Sequence, residues 1–311
     1  MAAPERVNDT EITEFLLMGF AGQPKIRMTL AAIMTIVYLV SILGNGLIVL
    51  VVITDPRLHN PMYFFLCNLS IIDICLSTSS FPQSIVNCLV ERPVMSFGRC
   101  YTQMFAAVYL GSTECFLLAV MAYDRYVAIS KPLHYMIVMN WRICVLLSVA
   151  SLTAAFLLVT VPAVANPVHF CGHNEVDHFA CEVTALMKLV CSDMAVGQLT
   201  MYFTSTFTVL FPFSFILFSY LRIITAILSI HSAGGRLKVF STCGSHLTVV
   251  VVFYGISIFG YVKPQSKDSQ DTNKVLYVIN AGVVPMLNPL IYTLRNQEVK
   301  QALKRLREKK L

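Results

Sequence analysis

Two acids stand where acids are costly. Asp73 lies in the run PMYFFLCNLSIIDIC and Glu114 in ECFLLAVMAY, both otherwise apolar. A carboxylate in an apolar interior must be protonated, paired or bound to a cation. Asn45 and Asn288, in GN and NP contexts of other apolar runs, are the side chains placed to partner them. The residues alone leave two readings open. One is a hydrogen-bonded polar plug that ties helices together. The other is a sodium site that stabilises one conformation. A glycosidase or protease dyad is not implied, because no partner set for that chemistry accompanies the two acids.

A second group is rich in sulfur. The stretch 166–196 holds Cys171, Cys181 and Cys191, and Cys100 opens a further apolar run. Four cysteines facing an oxidising compartment are expected to form two disulfides, with three pairings open. His169, His173 and His178 lie beside Cys171 and Cys181, which are also the residue types of a metal site; disulfides are the stronger expectation.

The third group is Asp124-Arg125-Tyr126. Arg125 lies 25 residues after Cys100, about 37 Å along a helix at ~1.5 Å per residue. That slightly exceeds the roughly 30 Å of a hydrocarbon core. One rod thus carries a cysteine at one water interface and an acid–base pair at the other. Breaking a local Asp124–Arg125 pair would release Arg125 to new partners, which is how a two-state switch is built. Tyr220 and Tyr292, near the same ends of their own runs, are placed to reach Arg125, with an interfacial aromatic belt as the competing reading for Tyr220. Pro212, and Pro289 in the sequence NPLIY, interrupt the helix ladder and permit kinks.

The elements that hold these groups are helices in lipid. Of 311 residues, 56% are hydrophobic and 13% charged, against about 25% charged in soluble domains. Seven apolar runs are long enough to cross a bilayer: roughly 28–54, 62–88, 99–123, 143–165, 197–221, 239–262 and 275–294. The expected architecture is an all-α membrane protein, a seven-transmembrane helix bundle in one domain over 26–295. Residues 1–25 read as an extracellular tail with no signal peptide. Residues 296–311 read as a cytoplasmic amphipathic helix on the inner leaflet, with Val299, Ala302, Leu303 and Leu306 on one face.

Basic residues orient the bundle. Arg57, Arg125, Lys131, Arg142, Arg222, Arg236, Lys238, Arg295 and the basic tail fall on one side, which is expected to be cytoplasmic. Glu91, Glu175, Asp177, Glu182, Asp193, Asp268 and Asp271 fall on the other. The N-terminus is then extracellular and the C-terminus cytoplasmic, in a multi-pass plasma-membrane protein. Asn8, in Asn8-Asp9-Thr10, is an outward glycosylation sequon. The net charge of +6 collects in particular loops, so no nucleic-acid partner is implied.

These residues resemble a known family. The stretches LGNGLIV (43–49), PMYFFLCNLSIIDIC (61–75), ECFLLAVMAYDRYVAISKPLHY (114–135), SYLRII (219–224), KVFSTCGSHLTVVVVFYG (238–255) and PMLNPLIYTLRN (285–296) are similar to those of vertebrate odorant receptors, a branch of the rhodopsin-like G-protein-coupled receptors. They occur in family order over nearly the whole chain. The resemblance implies pairing of Cys100 with Cys181 and of Cys171 with Cys191. It implies a sodium pocket at Asp73, Glu114 and Asn288, with no other cofactor. It implies a G-protein switch at Asp124, Arg125, Tyr126, Tyr220 and Tyr292, and a stimulatory olfactory-type G protein that raises cyclic AMP. Tyr254 takes the place of a tryptophan toggle found in relatives outside the odorant branch. Leu152 replaces a tryptophan usual in the family. The sixth span opens on Arg236 and Lys238, with no acid for Arg125, so the resting state is expected to rest on Asp124 and groups such as His246, with measurable basal activity.

Helical spacing from Cys100 and Arg125 points Met104, Ala107, Val108, Gly111 and Ser112 into the bundle. Thr204, Ser205, Thr208, Tyr254, Ser257, Ile258, Tyr261 and Val278 complete the expected lining. It is apolar with several hydroxyls and no charge. A buried cation would lack a counter-ion there, so a small neutral volatile is the expected ligand. Some of these hydroxyls are expected to bond their own helix backbone. A transporter would show repeats or a polar pore lining, and a membrane enzyme a convergent nucleophile or metal set such as HExxH. The sequence has neither, and the expectation is a receptor, not an enzyme.

Overall fold

The computed structural model describes residues 12–20, 22–170, 173–191, 195–228, 233–262 and 269–308. Seven long helices form the bundle: α1 (Pro24–Thr54), α2 (Pro61–Leu89), α3 (Phe97–Ser130), α4 (Trp141–Ala165), α5 (Ala195–Leu228), α6 (Ala233–Val262) and α7, which runs through Ser269–Val278, Ile279–Val283 and Val284–Arg295. An eighth helix, α8 (Gln297–Glu308), follows. Among the described residues, six of the seven contain a window long and apolar enough to cross a membrane, and α6 contributes the shorter apolar stretch Cys243–Phe259.

Local chemistry sets the helix ends. Asn60 and Asn140 are N-caps whose side chains accept from Tyr63 N (3.4 Å) and Ile143 N (3.1 Å). Pro24 and Pro61 open α1 and α2, where a missing N–H costs nothing. The sequence placed the end of the third span at residue 123, but α3 continues to Ser130. Val127 is buried, so the next turn still has apolar surface to cover. The helix stops at Lys131 because Pro132 disfavours helical backbone in the residue before it.

The end of the bundle near Cys100 carries a small sheet for which the sequence reading made no provision. Strand β1 (Glu14–Leu17) lies between β2 (Val94–Ser96) and β3 (Glu175–Val176). It pairs antiparallel with β2 (Phe15 opposite Met95) and parallel with β3 (Leu17 opposite Val176). Phe15 and Leu17 point inward and pack with Met95, Cys100, Val176 and Cys181. At the other end α8 lies against the bundle through buried Val299 and Ala302, with Leu303 and Leu306 packed on the same core.

Helix α7 is irregular for a local reason. Pro285 and Pro289 have no N–H, so the carbonyls four residues earlier, Ala281 O and Pro285 O, lose their α-helical donors. Neighbouring helices supply replacements. Ser77 Oγ of α2 donates to Ala281 O (3.3 Å), and Asn45 Nδ2 of α1 donates to Pro285 O (2.9 Å). Ile279–Val283 forms a π turn just before the first proline.

Candidate functional site

Functional groups occupy three levels of the bundle. At mid-depth, Asp73 of α2, Glu114 of α3 and Asn288 of α7 are all buried. Asn288 Nδ2 donates to Asp73 Oδ2 (2.9 Å) and Glu114 Oε1 (3.3 Å). Asp73 Oδ1 and Glu114 Oε2 are buried with no hydrogen-bond partner. Two orphaned carboxylate oxygens beside one shared amide fit a hard monovalent cation, which takes oxygen ligands and offsets buried negative charge. Asn45, expected as a second partner, instead donates to Ser41 O (3.0 Å) and Pro285 O. The proline-freed carbonyl claims its amide.

At the Arg125 end, Arg125 Nε donates to Asp124 Oδ2 (3.1 Å), and Nη2 bonds the same oxygen. Tyr135 OH donates to Asp124 Oδ1 (2.7 Å). Both members of the ion pair are buried. Burial, and next the charge on Asp124, hold the Tyr135 hydroxyl above its ordinary pKa. His246 of α6 faces Leu118 O of α3 through Nε2 (3.1 Å) and Tyr220 OH of α5 through Nδ1 (2.7 Å). A carbonyl only accepts, so Nε2 carries the proton and Tyr220 donates to Nδ1. His246 thus ties three helices through hydrogen bonds to Tyr220 and Leu118, not to Arg125.

The sequence expected Tyr220 and Tyr292 to reach Arg125. Tyr220 is bound to His246 instead, and Tyr292 OH is buried without a partner. The Asp124 carboxylate is the stronger acceptor for a guanidinium. Tyr292 shares a cavity with Met121, Asp124, Arg125, His246 and Asn296. Tyr126 is half-buried, its ring 6.4 Å from that of Tyr123. The side chains of Arg236 and Lys238 lie outside the described residues.

At the Cys100 end, Cys100 and Cys181 form a disulfide with Cα atoms 5.3 Å apart. Cys191 is also disulfide-bonded; Cys171, its expected partner, lies outside the described residues, as does Asn8. Cys181 is therefore not available to a metal, and His178 Nδ1 accepts from Ala180 N (3.0 Å). Among the described residues no three His, Cys, Asp or Glu side chains group as a metal site. Lys274 of α7, buried and not singled out by the sequence, donates to Gly19 O (2.7 Å), Asp177 Oδ1 (2.9 Å) and Asp271 Oδ1 (3.2 Å). It joins the N-terminal segment and the long loop to α7.

The expected lining residues fall into distinct environments. Met104, Ala107 and Gly111 are half-buried, Ser112 is buried and Val108 is exposed. Thr204 and Ser205 are half-buried, and Thr208 is buried. Thr204, Thr208 and Ser257 bond carbonyls of their own helices, at Thr200 (2.9 Å), Thr204 (2.7 Å) and Phe253 (2.9 Å). Tyr254 is buried, with its OH on Cys115 O (3.3 Å) and its ring 4.9 Å from Phe213. Ile258 packs on the main core, whereas Val278 packs with Ala31, Met34 and Phe81 of α1 and α2. The side chain of Tyr261 lies outside the described residues.

With this geometry in view, comparison with known proteins places the chain. The olfactory receptor family model matches residues 34–310. The human protein "Olfactory receptor 13H1" is 47% identical over 298 residues, covering 96% of this chain and 97% of the relative. The mouse protein "Olfactory receptor 2B6" is 47% identical over 300 residues, covering 96% of each. The crystal structure of squid rhodopsin superposes with a TM-score of 0.71 at 16% identity, covering 92% of this chain and 86% of that one, which shows the fold. A multi-pass membrane protein with this bundle and these relatives belongs to the olfactory receptor family, whose members are signalling receptors and not enzymes.

Proposed function

We propose that the chain is an odorant receptor for a small neutral volatile and that it activates a stimulatory olfactory-type G protein, raising cyclic AMP. The N-terminus is extracellular and the C-terminus cytoplasmic at the plasma membrane, with Asn8 glycosylated. The ligand lies among Met104, Ala107, Gly111, Ser112, Ser205, Tyr254 and their neighbours. A sodium ion sits at Asp73, Glu114 and Asn288 in the resting state.

One observation supports this reading above the rest. Met104, Ala107, Gly111 and Ser112 of the uncharged candidate lining and the buried Asp124–Arg125 pair belong to the same helix, α3. A ligand with greater affinity for one bundle arrangement shifts the population at the far end of that rod. Arg125, freed from Asp124, then meets the G protein as the inner ends of α5, α6 and α7 part. The test is cyclic AMP in cells expressing the chain with the olfactory G protein, against a broad odorant panel. Arg125→Ala at equal surface level is the control. An odorant-dependent rise that Arg125→Ala abolishes supports the reading. A response confined to charged amines would overturn the ligand class, and silence at confirmed surface expression would count against either the pocket chemistry or the G-protein assignment.

A further inference from the structure

We propose that Ser77, with the close fit of Phe81 against Gly282, is a register stop that aims Asn288 at the two buried carboxylates. A π turn contains one more residue than an α turn over the same span. Each residue advances a helix by about 100°. If Ile279–Val283 closed into α-helix with α7 held at its outer end, every later side chain would rotate by about that angle. Asn288 would then leave Asp73 and Glu114.

Four contacts hold the irregular stretch on α1 and α2. Ser77 Oγ bonds Ala281 O, inside the π turn, and lies 3.1 Å from Ser41 Oγ. The Phe81 ring occupies the space a Cβ on Gly282 would need: such an atom would lie 2.0 Å from Phe81 Cζ and 3.0 Å from Val37 Cγ1. Asn45 bonds Pro285 O. One turn further, a Cβ on Gly44 would lie 2.9 Å from Pro289 Cγ, so α1 meets the second proline ring directly. Ser77 and Phe81 are both fully buried and one helical turn apart on α2. They grip consecutive residues, Ala281 and Gly282. The Ser77 hydroxyl bonds Ser41 and Ala281, not the carboxylates. Its effect on the acid pair passes through the position of Asn288, so it is a positioning residue.

A thermal-stability cycle tests this on purified full-length receptor in detergent, with no odorant or G protein. Ser77→Ala should lower the unfolding midpoint in the wild-type background. In the Asn288→Ala background its effect should shrink to less than about half, because the amide it aims is gone. Ser77→Thr, which keeps the hydroxyl, should restore most of the loss. In parallel, Gly282→Ala should be severely destabilised and partly rescued by Phe81→Leu. Equal midpoint shifts from Ser77→Ala in both backgrounds would overturn the proposal, since a merely structural hydroxyl acts additively. Should Ser77→Ala not yield folded receptor, Ser77→Cys, a weaker donor, carries the same cycle with the same two outcomes.

Discussion

Arg305 of α8 grips Asp55, at the end of α1, with two nitrogens on one carboxylate oxygen, Nη2 at 2.6 Å and Nε at 2.9 Å. Nearby, Tyr63 OH donates to Glu298 Oε2 (2.7 Å) and Asn296 Oδ1 (3.1 Å). The tail helix is thus held by charge as well as by Val299 and Ala302. Its hydrogen bond to Arg305 keeps the Asp55 carboxyl below its ordinary pKa. A depressed carboxyl contributes stability above the unfolded value, and that stability is lost as pH falls through the folded value. Docking of α8 should therefore persist down to about pH 4 and weaken below it. Arg305→Gln and Asp55→Asn should each speed amide exchange across Gln297–Glu308 severalfold, and the double variant should add little. Unchanged exchange in both would remove the ion pair from the account.

His178 gives acid sensitivity at the opposite end. It is buried between Phe179 and Tyr277, with ring centroids 4.6 and 5.2 Å away. Burial, and next the charge of Lys274, push its pKa down to about 3. The folded state refuses a proton that the unfolded state takes up near 6.5. Stability is then complete above about pH 6.5 and declines as pH falls toward 3, by up to about 1.4 kcal/mol per unit. The unfolding midpoint should drop between pH 7.4 and 5.5 in the wild type, and this drop should be smaller in His178→Phe. An identical pH profile in the variant would show that another group carries the effect.

Tyr135 is the second partner of Asp124, after Arg125. Tyr135→Phe leaves Asp124 Oδ1 buried and unbonded, and a hydrogen bond to a charged group contributes about 1.5–3 kcal/mol. The arrangement with Arg125 tied down becomes less favourable. Basal cyclic AMP per receptor at the surface should rise, by up to roughly tenfold for each 1.4 kcal/mol that falls on this state alone. Basal signal equal to the wild type would show that the hydroxyl does not hold the pair.

The orphaned oxygens of Asp73 and Glu114 make ion dependence a direct assay. Purified receptor should melt higher in sodium chloride than in choline chloride at equal ionic strength. A site filled at about 100 times its Kd contributes about 2.7 kcal/mol. Asp73→Asn should abolish the difference, and Glu114→Gln should reduce it. Equal midpoints in the two salts would leave the pair as a polar plug.

The bundle was legible because its signal is local. Each apolar run declares its own helix, and an acid such as Asp73 stands out against apolar neighbours. The grouping of Asp73, Glu114 and Asn288 followed from family resemblance, since their separations along the chain carry no geometric information. Strand β1 was not legible: four residues, EFLL, acquire meaning only beside Met95 and Val176. Lys274 carried no signal in the sequence, because Gly19 and Asp177 reach it only after folding. The π turn was hidden for a related reason. Pro285 announces an interruption in α7, but only the Phe81 ring against Gly282 and Ser77 on Ala281 show how the neighbours receive it. Where Arg125 finds its partner was half legible. Asp124 is adjacent in sequence, while Tyr135 arrives through a turn of chain beyond Pro132.

The middle position of β1 has a consequence for assembly. It is the first of the three strands to leave the ribosome, yet both its neighbours are synthesised much later, one on each side of α3 in the chain. The sheet can therefore close only once Met95 and Val176 stand at the same end of the bundle, and it does so at the entropic cost of long loops. An insertion between Glu14 and Leu17 removes the one strand that both others need, so the cap would be lost as a unit.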